Sequence, residues 1–178
     1  MSWSRGAPSR RVFGRFVLRA AAAVPLFAVA ACGFTPLYGA GANNETVAAN
    51  LATVRVQPLR DRAGQQMHNF LRDRLNPKGQ PEAPNYVLQV DLTESLSELG
   101  VRRDETATRA NLKMQAQFFL RPVGGQTAVL TGMSSSTTSY DILSNPFATT
   151  VSEDDARERA LREVADDIRT RLALYFSR

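Results

Sequence analysis

Two stretches of the chain alternate residue by residue between an apolar set and a mainly polar set. The apolar set of the first stretch is Tyr86, Leu88, Val90 and Leu92, and that of the second is Leu112, Met114, Ala116, Phe118 and Leu120. Strict period 2 with one apolar face is typical of strands whose sheet is covered on one side and exposed to water on the other. The sequence therefore predicts two long strands, joined by a polar hairpin tip at residues 97–109.

Two further strands flank this pair in the sequence. Alternation over residues 52–56 predicts a short strand that Pro58 ends. After a glycine-rich turn at residues 122–125, a strand is predicted over about 127–140, and it includes the hydroxyl-rich run 134–139. Such a run is also typical of a disordered linker. We favour a strand because threonine favours strands and an apolar pattern resumes after the run.

Helical spacing of apolar residues marks two other segments. Asp61 is predicted to cap a helix with a buried stripe of Met67, Phe70, Leu71 and Leu75. Ser152-Glu153-Asp154-Asp155 has the form of a capping box and predicts the start of the last helix. The buried stripe of that helix comprises Ala156, Ala160, Leu161, Val164, Ile168, Leu172 and Tyr175. Acid–base pairs four residues apart on its other side predict a solvated surface.

The predicted order of elements is β-α-β-β-β-α. Two helices packed on one face of a four-stranded sheet give every apolar stripe a partner, so the predicted fold class is α+β, a two-layer sandwich. This single α+β domain is predicted to span residues 51–178. The opposite face of the sheet stays polar and available for interactions.

Residues 1–31 have the pattern of an export signal that is removed from the mature protein. Arginines precede an apolar stretch at residues 20–31, and its roughly 12 residues are fewer than the roughly 20 needed to cross a bilayer. Ser9-Arg10-Arg11-Val12-Phe13 resembles a twin-arginine signal, so Sec and twin-arginine export both remain open.

The apolar stretch ends in a motif that resembles the lipobox of bacterial lipoproteins, Val29-Ala30-Ala31-Cys32. In this motif the cysteine thiol accepts the lipid, whereas a free thiol in an exported protein is a liability. We expect Cys32 to carry a covalent N-acyl diacylglycerol with palmitate among its acyl groups, and residues 32–50 to form a flexible tether. The alternative is an incidental cysteine behind an ordinary secretory signal. Gly33, in place of an aspartate, favours the outer membrane over the inner.

The basic charge of the chain belongs to its leader. Five of the 22 basic residues precede Cys32, whereas all 17 acidic residues follow it, so the chain from Cys32 onward is formally neutral. A function in nucleic-acid binding is therefore not supported by charge.

No motif for catalysis or metal binding stands out. His68 is the only histidine, and a lone histidine beside a core stripe is usually a packed or surface residue. There is no nucleophile elbow, phosphate-binding glycine loop or H-E-x-x-H sequence. We predict that the protein is not an enzyme and needs no cofactor beyond the lipid on Cys32.

Basic residues of the second long strand and its hairpin are the candidates for ligand binding. The set comprises Arg102 and Arg103 at the tip, and Arg109, Lys113 and Arg121, with Phe119, on the outward face. Guanidinium groups bind phosphate through paired hydrogen bonds, and Phe119 offers contact with an acyl chain or a protein. Scattered basic residues are also usual on a solvated surface, and the neighbouring Asp104 and Glu105 weaken the patch.

The mature N-terminus, Cys32-Gly33-Phe34-Thr35-Pro36-Leu37-Tyr38, resembles that of lipopolysaccharide-assembly lipoproteins, the LptE family, especially its alphaproteobacterial branch. Weaker matches follow in the same order, among them Asp61-Arg62, Tyr86-Val87-Leu88, Thr108-Arg109, Ser139-Tyr140-Asp141 and Phe147-Ala148-Thr149. The resemblance implies an outer-membrane lipoprotein that plugs the LptD β-barrel and helps to place lipopolysaccharide in the outer leaflet. It also implies a non-catalytic role, and lipopolysaccharide or the barrel as the partner of the basic set.

Two other functions remain as alternatives. One is a free-standing, periplasm-facing lipoprotein that binds a small anionic ligand or peptidoglycan. The other is a lipid-anchored hydrolase, which would need a cleft that brings His68 together with a carboxylate.

Overall fold

The computed structural model describes residues 42–101 and 107–178. Its helices are α1 (Ala42–Ala52), α2 (Asp61–Leu75) and α3 (Pro146–Phe176), and its strands are β1 (Val54–Val56), β2 (Tyr86–Val101), β3 (Ala107–Pro122) and β4 (Leu130–Asp141). The strands form one sheet in the order β1-β2-β3-β4, in which β1 is parallel to β2 and the other pairs are antiparallel. The predicted α+β class, with a four-stranded sheet, is confirmed, and α1 is a third helix that was not predicted.

The core lies between one face of the sheet, here called the inner face, and the helices. Inward side chains of β3 are at most 1% exposed, namely Ala110, Leu112, Met114, Ala116, Phe118 and Leu120. They meet the predicted stripe of α3, in which Ala156, Ala160, Leu161, Val164, Ile168 and Leu172 are buried, while Tyr175 is half-buried. Met67, Leu71 and Leu75 bury one side of α2, but Phe70 lies half-exposed at its margin. Both stripes follow helical spacing because only one side of each helix faces the sheet.

Helix α1 corrects the predicted boundary between tether and domain. Residues 42–50 were assigned to a flexible tether, yet they are helical, and the helix continues through Ala52, which was assigned to the first strand. Val47 and Leu51 are four residues apart, and both are buried against the domain. Two apolar residues are too few to show periodicity in the sequence, so tertiary packing decides this helix. The signal peptide, the lipobox, Cys32 and residues 33–41 lie outside the described residues.

The start of α2 differs from the prediction at its cap. Arg60 occupies the N-cap position without a side-chain hydrogen bond, and Asp61 lies inside the helix. The backbone of Asp61 has a φ of 66°, in the left-handed region that aspartate tolerates better than most residues. Because of this positive φ, Asp61 does not adopt the extended backbone conformation that an N-cap residue needs.

The hairpin of β2 and β3 is longer than predicted. The residues assigned to a tip, 97–109, include paired strand on both sides, with Leu99 opposite Arg109. Polar residues are accommodated there because both faces of this part of β2 are exposed.

The hydroxyl-rich run forms the strand that we favoured. Ser134, Ser136 and Thr138 face inward and are buried beneath α3. Ser136 donates a hydrogen bond to Glu163 (2.5 Å), and Thr138 donates one to the carbonyl oxygen of Ala156 (2.8 Å). Small hydroxyl side chains therefore let the long helix approach β4 closely and hydrogen-bond to it.

Helix α3 begins six residues before the predicted capping box. Asn145 is the N-cap, and its side chain accepts a hydrogen bond from the backbone N–H of Phe147 (3.0 Å). Pro146 occupies the first turn, where its missing N–H costs nothing. The Asn-Pro pair is thus the actual start signal. The acids of the predicted box instead form ion pairs within the helix, Glu153 and Asp154 with Arg157, and Asp155 with Arg159.

Candidate interaction surface on the sheet

The face of the sheet turned away from the helices, here called the outer face, is dominated by short, uncharged polar side chains. Alternation places residues of odd number on this face of β2, β3 and β4. Its uncharged polar side chains include Thr93, Ser95 and Ser97 on β2, Asn111, Gln115 and Gln117 on β3, and Ser135, Thr137 and Ser139 on β4. Hydroxyl and amide groups both donate and accept hydrogen bonds, so this surface can bind a polar partner of either sign.

At one end of the outer face, Arg109 is paired with an acid on the neighbouring strand. Its Nε donates to Oδ1 of Asp141 (3.0 Å), the residue directly opposite on β4. The two side chains are 58% and 60% exposed. An ion pair this exposed contributes little stability, so Arg109 can exchange Asp141 for another anion at small cost.

Lys113 lies four residues further along β3 from that end, among neutral neighbours. Its cross-strand partners are Ser95 on β2 and Thr137 on β4, and its side chain is exposed. It is a single positive charge in the hydroxyl and amide rows rather than part of a cluster.

Phe119 and Arg121 form a compact unit at the opposite end of β3. The guanidinium carbon of Arg121 lies 5.5 Å from the centre of the Phe119 ring, in cation–π geometry. Nη1 of Arg121 also donates to the side-chain oxygen of Gln89 on β2 (2.6 Å). Both side chains are half-buried, so this unit presents a fixed positive charge beside an aromatic surface.

The predicted basic residues do not form one site. Arg109 and Arg121 are twelve positions apart on the same strand, which corresponds to about 40 Å at about 3.4 Å per residue. Arg102 and Arg103 lie outside the described residues. The predicted outward direction of Arg109, Lys113, Phe119 and Arg121 is confirmed, whereas their separation means that a single small anion cannot contact all of them.

On the inner face, a cluster around Arg157 joins β2 to α3. Nε and Nη2 of Arg157 donate to the two carboxylate oxygens of Glu94 (both 2.9 Å), and Glu153 and Asp154 each accept a further bond (2.6 Å). The hydrogen bond to Glu94 is the main cause that raises the pKa of Arg157, and burial opposes it. Burial, followed by the negative charge of Glu153, raises the pKa of the adjacent Tyr140.

This cluster was missed in the sequence, although a signal existed. Glu94 is a charged residue at a position of β2 that period 2 assigns to the apolar face. A charge at such a position needs a partner, and Arg157 on α3 provides it. The arrangement links β2 to α3. Within residues 42–101 and 107–178, no group of three or more histidine, cysteine or acidic side chains could hold a metal ion.

The surroundings of His68 do not favour hydrolysis. Its Nε2 lies 3.3 Å from Nε2 of Gln80. A cavity of about 170 Å³ beside the ring is lined by Pro58, Leu59, Gln65, His68 and Asn69. No carboxylate lines this cavity, so the general acid–base partner that the hydrolase alternative requires is missing from it.

The fold and surface define a class of protein: a small α+β domain that presents an extended polar surface for interactions. None of the helices in the described ranges is long and apolar enough to span a bilayer. A family model described as LptE, lipopolysaccharide-assembly, matches residues 51–172, and the chain belongs to this family of non-enzymatic lipoproteins of lipopolysaccharide assembly.

The chain is also similar to individual proteins. The chain is 24% identical over 129 residues to an uncharacterised protein of Rickettsia prowazekii (strain Madrid E), covering 72% of this chain and 80% of that protein. A crystal structure of a protein described as a lipoprotein from Caulobacter crescentus CB15 is 26% identical, with a TM-score of 0.60, covering 73% of this chain and 95% of the other.

More distant structures share the fold alone. Rare lipoprotein B from Shewanella oneidensis has a TM-score of 0.53 at 14% identity, covering 68% of this chain and 92% of the other. A minor lipoprotein from Acinetobacter baumannii has a TM-score of 0.51 at 16% identity, covering 68% and 89%. The α+β sandwich therefore persists where few residues are shared.

Proposed function

We propose that the protein is an outer-membrane lipoprotein that plugs and supports an LptD-type β-barrel during lipopolysaccharide transport. Membership of the lipopolysaccharide-assembly family is the observation that carries this proposal. In it, the domain faces the periplasm or lies within the barrel lumen, and Cys32 carries the lipid that holds it at the membrane. The protein performs no catalysis and needs no cofactor beyond that lipid.

The outer face of the sheet supports this role through its composition. The interior of a membrane β-barrel is polar and hydrated. A surface of hydroxyl and amide groups can form hydrogen bonds with such a wall without burying an unpaired charge. The few charges are separated along β3, so each can meet its own partner.

The test is photo-crosslinking in cells from single positions of this surface. A crosslinkable residue at Lys113 or Gln117 is expected to capture a large outer-membrane barrel. The matched controls are Glu158 and Arg162, which pair with each other on α3, away from the outer face of the sheet. Capture of the barrel from the control positions only would show that the outer face does not meet the barrel. If the protein purifies from detergent without a barrel, the plug proposal is refuted and the free-standing lipoprotein is favoured.

We further propose that Phe119 and Arg121 contact lipopolysaccharide directly. An aromatic ring beside a guanidinium group matches an acyl chain beside a phosphate. Crosslinking from Phe119 is expected to capture glycolipid. Arg121→Gln is expected to weaken that capture more than Arg109→Gln does, because Arg121 lies against the Phe119 ring, whereas Arg109 is ten positions away on the same strand, about 34 Å at about 3.4 Å per residue. Equal effects of the two substitutions would contradict a specific role for Arg121.

The lipid anchor has its own test. Mass spectrometry of the processed protein is expected to show an N-acyl diacylglycerol on Cys32 and no residues of 1–31. Cys32→Ala should leave the protein unprocessed and unlipidated. An unmodified thiol at Cys32 in the mature protein would remove the anchor from the proposal.

A further inference from the structure

Within residues 42–101 and 107–178, one edge of strand β2 is unpaired along most of its length. On the side away from β3, β1 pairs with it over residues 86–88. One more bond extends this pairing, from the backbone N–H of Gln57 to the carbonyl oxygen of Leu88 (2.9 Å). No other strand of the described ranges pairs with this side, so the edge from Val90 onward is open.

The main-chain groups that point to this edge can be identified from the pairing. Because the carbonyl of Leu88 faces β1, residues of the same parity direct their N–H and C=O groups to the same side. The carbonyl of Asn85, which has the other parity, instead accepts a hydrogen bond from Val123 at the end of β3 (2.9 Å). The open edge therefore presents the main-chain groups of Val90, Leu92, Glu94 and Leu96.

This edge lacks most of the features by which proteins protect open strands. Residues 86–101 contain no proline and no lysine, and their pairing with β3 runs one to one without a bulge over Tyr86–Leu99. Proteins usually place such features at open edges to prevent pairing with other chains. Their absence leaves the edge from Val90 to Leu96 free to pair with another strand over about 20 Å, at about 3.4 Å per residue.

A cleft of about 640 Å³ lies beside the first part of this edge. One wall is formed by residues 89–92 and Glu94 of β2, and the other by residues 57–61 and the first turn of α2. Pro58 ends β1 and directs the chain away from β2, so the cleft occupies the line along which β1 would have continued. Its volume falls within the range of protein binding sites.

The charges around the cleft select the kind of strand that fits. Its walls carry Asp61, Asp91 and Glu94 but only one basic residue, Arg60, and Glu94 is already bound to Arg157. Strand β2 itself has acids and no basic residue. A second copy of this chain would pair two acidic strands, whereas a strand with lysine or arginine would complement the acids.

We propose that the open edge of β2 accepts an extended segment of a partner protein in which apolar and basic residues alternate. The segment adds a strand to the sheet in the line of β1, by main-chain hydrogen bonds to Leu92 and Glu94. Its basic side chains lie on the outer face beside Asp91, and its apolar side chains lie on the inner face beside Leu92. This inference does not depend on the barrel or on lipopolysaccharide.

A synthetic peptide in which valine alternates with lysine tests the proposal on the whole chain in detergent. Fluorescence anisotropy is expected to show saturable binding that weakens with salt. Two further peptides carry backbone N-methyl groups, one on every valine and the other on every lysine. Only one of these two peptides should lose binding. In a strand paired with β2, every second residue points its N–H group to β2, and the residues between them point theirs to solvent. Equal binding of both would show adsorption by charge alone and overturn the proposal.

Substitutions in the protein locate the site. Leu92→Pro removes an edge N–H without removing a bond to β3, and it is expected to weaken peptide binding about tenfold, equivalent to roughly 1.4 kcal/mol. Leu92→Ala keeps the N–H and should have a smaller effect. Leu96→Pro is a second variant at a more exposed position, should Leu92→Pro fail to fold.

The matched control is the outer edge of β4, with which no strand of the described ranges pairs. The backbone N–H of Ile142 donates to the carbonyl oxygen of Thr108 on β3 (3.0 Å), so residues of even number on β4 point their N–H groups to β3 and those of odd number point them away from the sheet. Thr137→Pro therefore removes an N–H from this other edge, and it should leave peptide binding unchanged. Equal loss in Thr137→Pro and Leu92→Pro, or no loss in either proline variant of β2, would refute the site. If the chain dimerises and Leu92→Pro abolishes the dimer, the strand that pairs with this edge comes from a second copy of the chain and not from a different protein.

Discussion

Strands β2 and β3 are paired along their whole described length, yet their inner faces differ in burial. Every inward side chain of β3 from Ala110 to Leu120 is buried. On β2, Leu88 and Val90 are buried and Leu92 is half-buried, but Leu96 is 52% exposed. Helix α3 packs on β3 and β4 and leaves the far half of β2 uncovered. A period-2 pattern therefore identifies which face turns inward, whereas the helices decide how much of that face is covered.

The largest expected effect comes from a direct comparison of Leu112 with Leu96, which are opposite each other in the two strands. Leu112→Ala is expected to lower the free energy of unfolding by about 2–5 kcal/mol, because it leaves a cavity under α3. Leu96→Ala should change it by no more than about 0.5 kcal/mol, as is usual for a surface substitution. Urea denaturation of both variants measures the difference. Similar losses would show that the far half of β2 is covered after all.

The contact between Gly132 and Phe118 is a test of close packing in the covered region. A Cβ atom at Gly132 would lie 2.5 Å from Cζ of the Phe118 ring. Gly132→Ala is expected to cost about 1–3 kcal/mol, the usual range for an overpacked core. In a Phe118→Leu background the smaller side chain should remove most of that cost. A cost unchanged by Phe118→Leu would place the strain elsewhere.

The ion pair between Glu94 and Arg157 anchors β2 where its apolar cover ends. Its side chains are 26% and 20% exposed, so Glu94→Gln is expected to cost about 1–2 kcal/mol through a weakened charged hydrogen bond. The control is Asp141→Asn, which breaks the exposed pair with Arg109 and should cost less than about 0.5 kcal/mol. Thermal unfolding of both variants compares them. Equal costs would mean that burial does not distinguish the two pairs.

The smallest expected effect concerns the two helices that cover the sheet. Nε and Nη2 of Arg74 on α2 donate to the carboxylate of Asp166 on α3 (2.5 and 2.9 Å), and these hydrogen bonds lower the pKa of Asp166 in the folded protein. A lowered pKa stabilises the fold above the ordinary aspartate value, about 3.9, and the stabilisation is lost as the pH falls through the folded pKa. The midpoint of thermal unfolding should therefore be lower for Asp166→Asn than for the wild type at pH 7, and the difference should shrink below pH 4. A difference that is independent of pH would contradict the ion pair.

Several elements were predictable because their signals are local or strictly periodic. The alternation in β2 and β3 and the stripe of α3 correctly identified the side chains that face inward, and the acid-first spacing correctly identified the ion pairs of α3. The errors occurred where local signals compete or are weak. Asn145 and Ser152 both resemble helix caps, and α3 starts at the earlier one, where the side chain of Asn145 accepts a hydrogen bond from the backbone N–H of Phe147. Helix α1 buries too few apolar residues to be distinguished from a tether.

For the candidate surface too, some features were predictable from the sequence and others depend on the tertiary structure. Parity alone placed Arg109, Lys113, Phe119 and Arg121 on the outer face, but the sequence does not state how far apart a strand holds them. The pairing of Arg121 with Gln89 depends on the register of two strands. The bond between Glu94 and Arg157 joins residues 63 positions apart, and the sequence offered only the charge at an apolar position as a sign of it.

The sequence by itself determined the α+β class, the order of the strands along the chain, the face that β2 and β3 turn inward and the resemblance to the lipopolysaccharide-assembly family. These follow from periodicity and short motifs, which any segment carries within itself. Only the tertiary structure decided where the cover of the sheet ends, which acid holds Arg157 and which strand edge stays open. Those features depend on contacts between distant segments, whose energies are set by packing and desolvation rather than by local propensity.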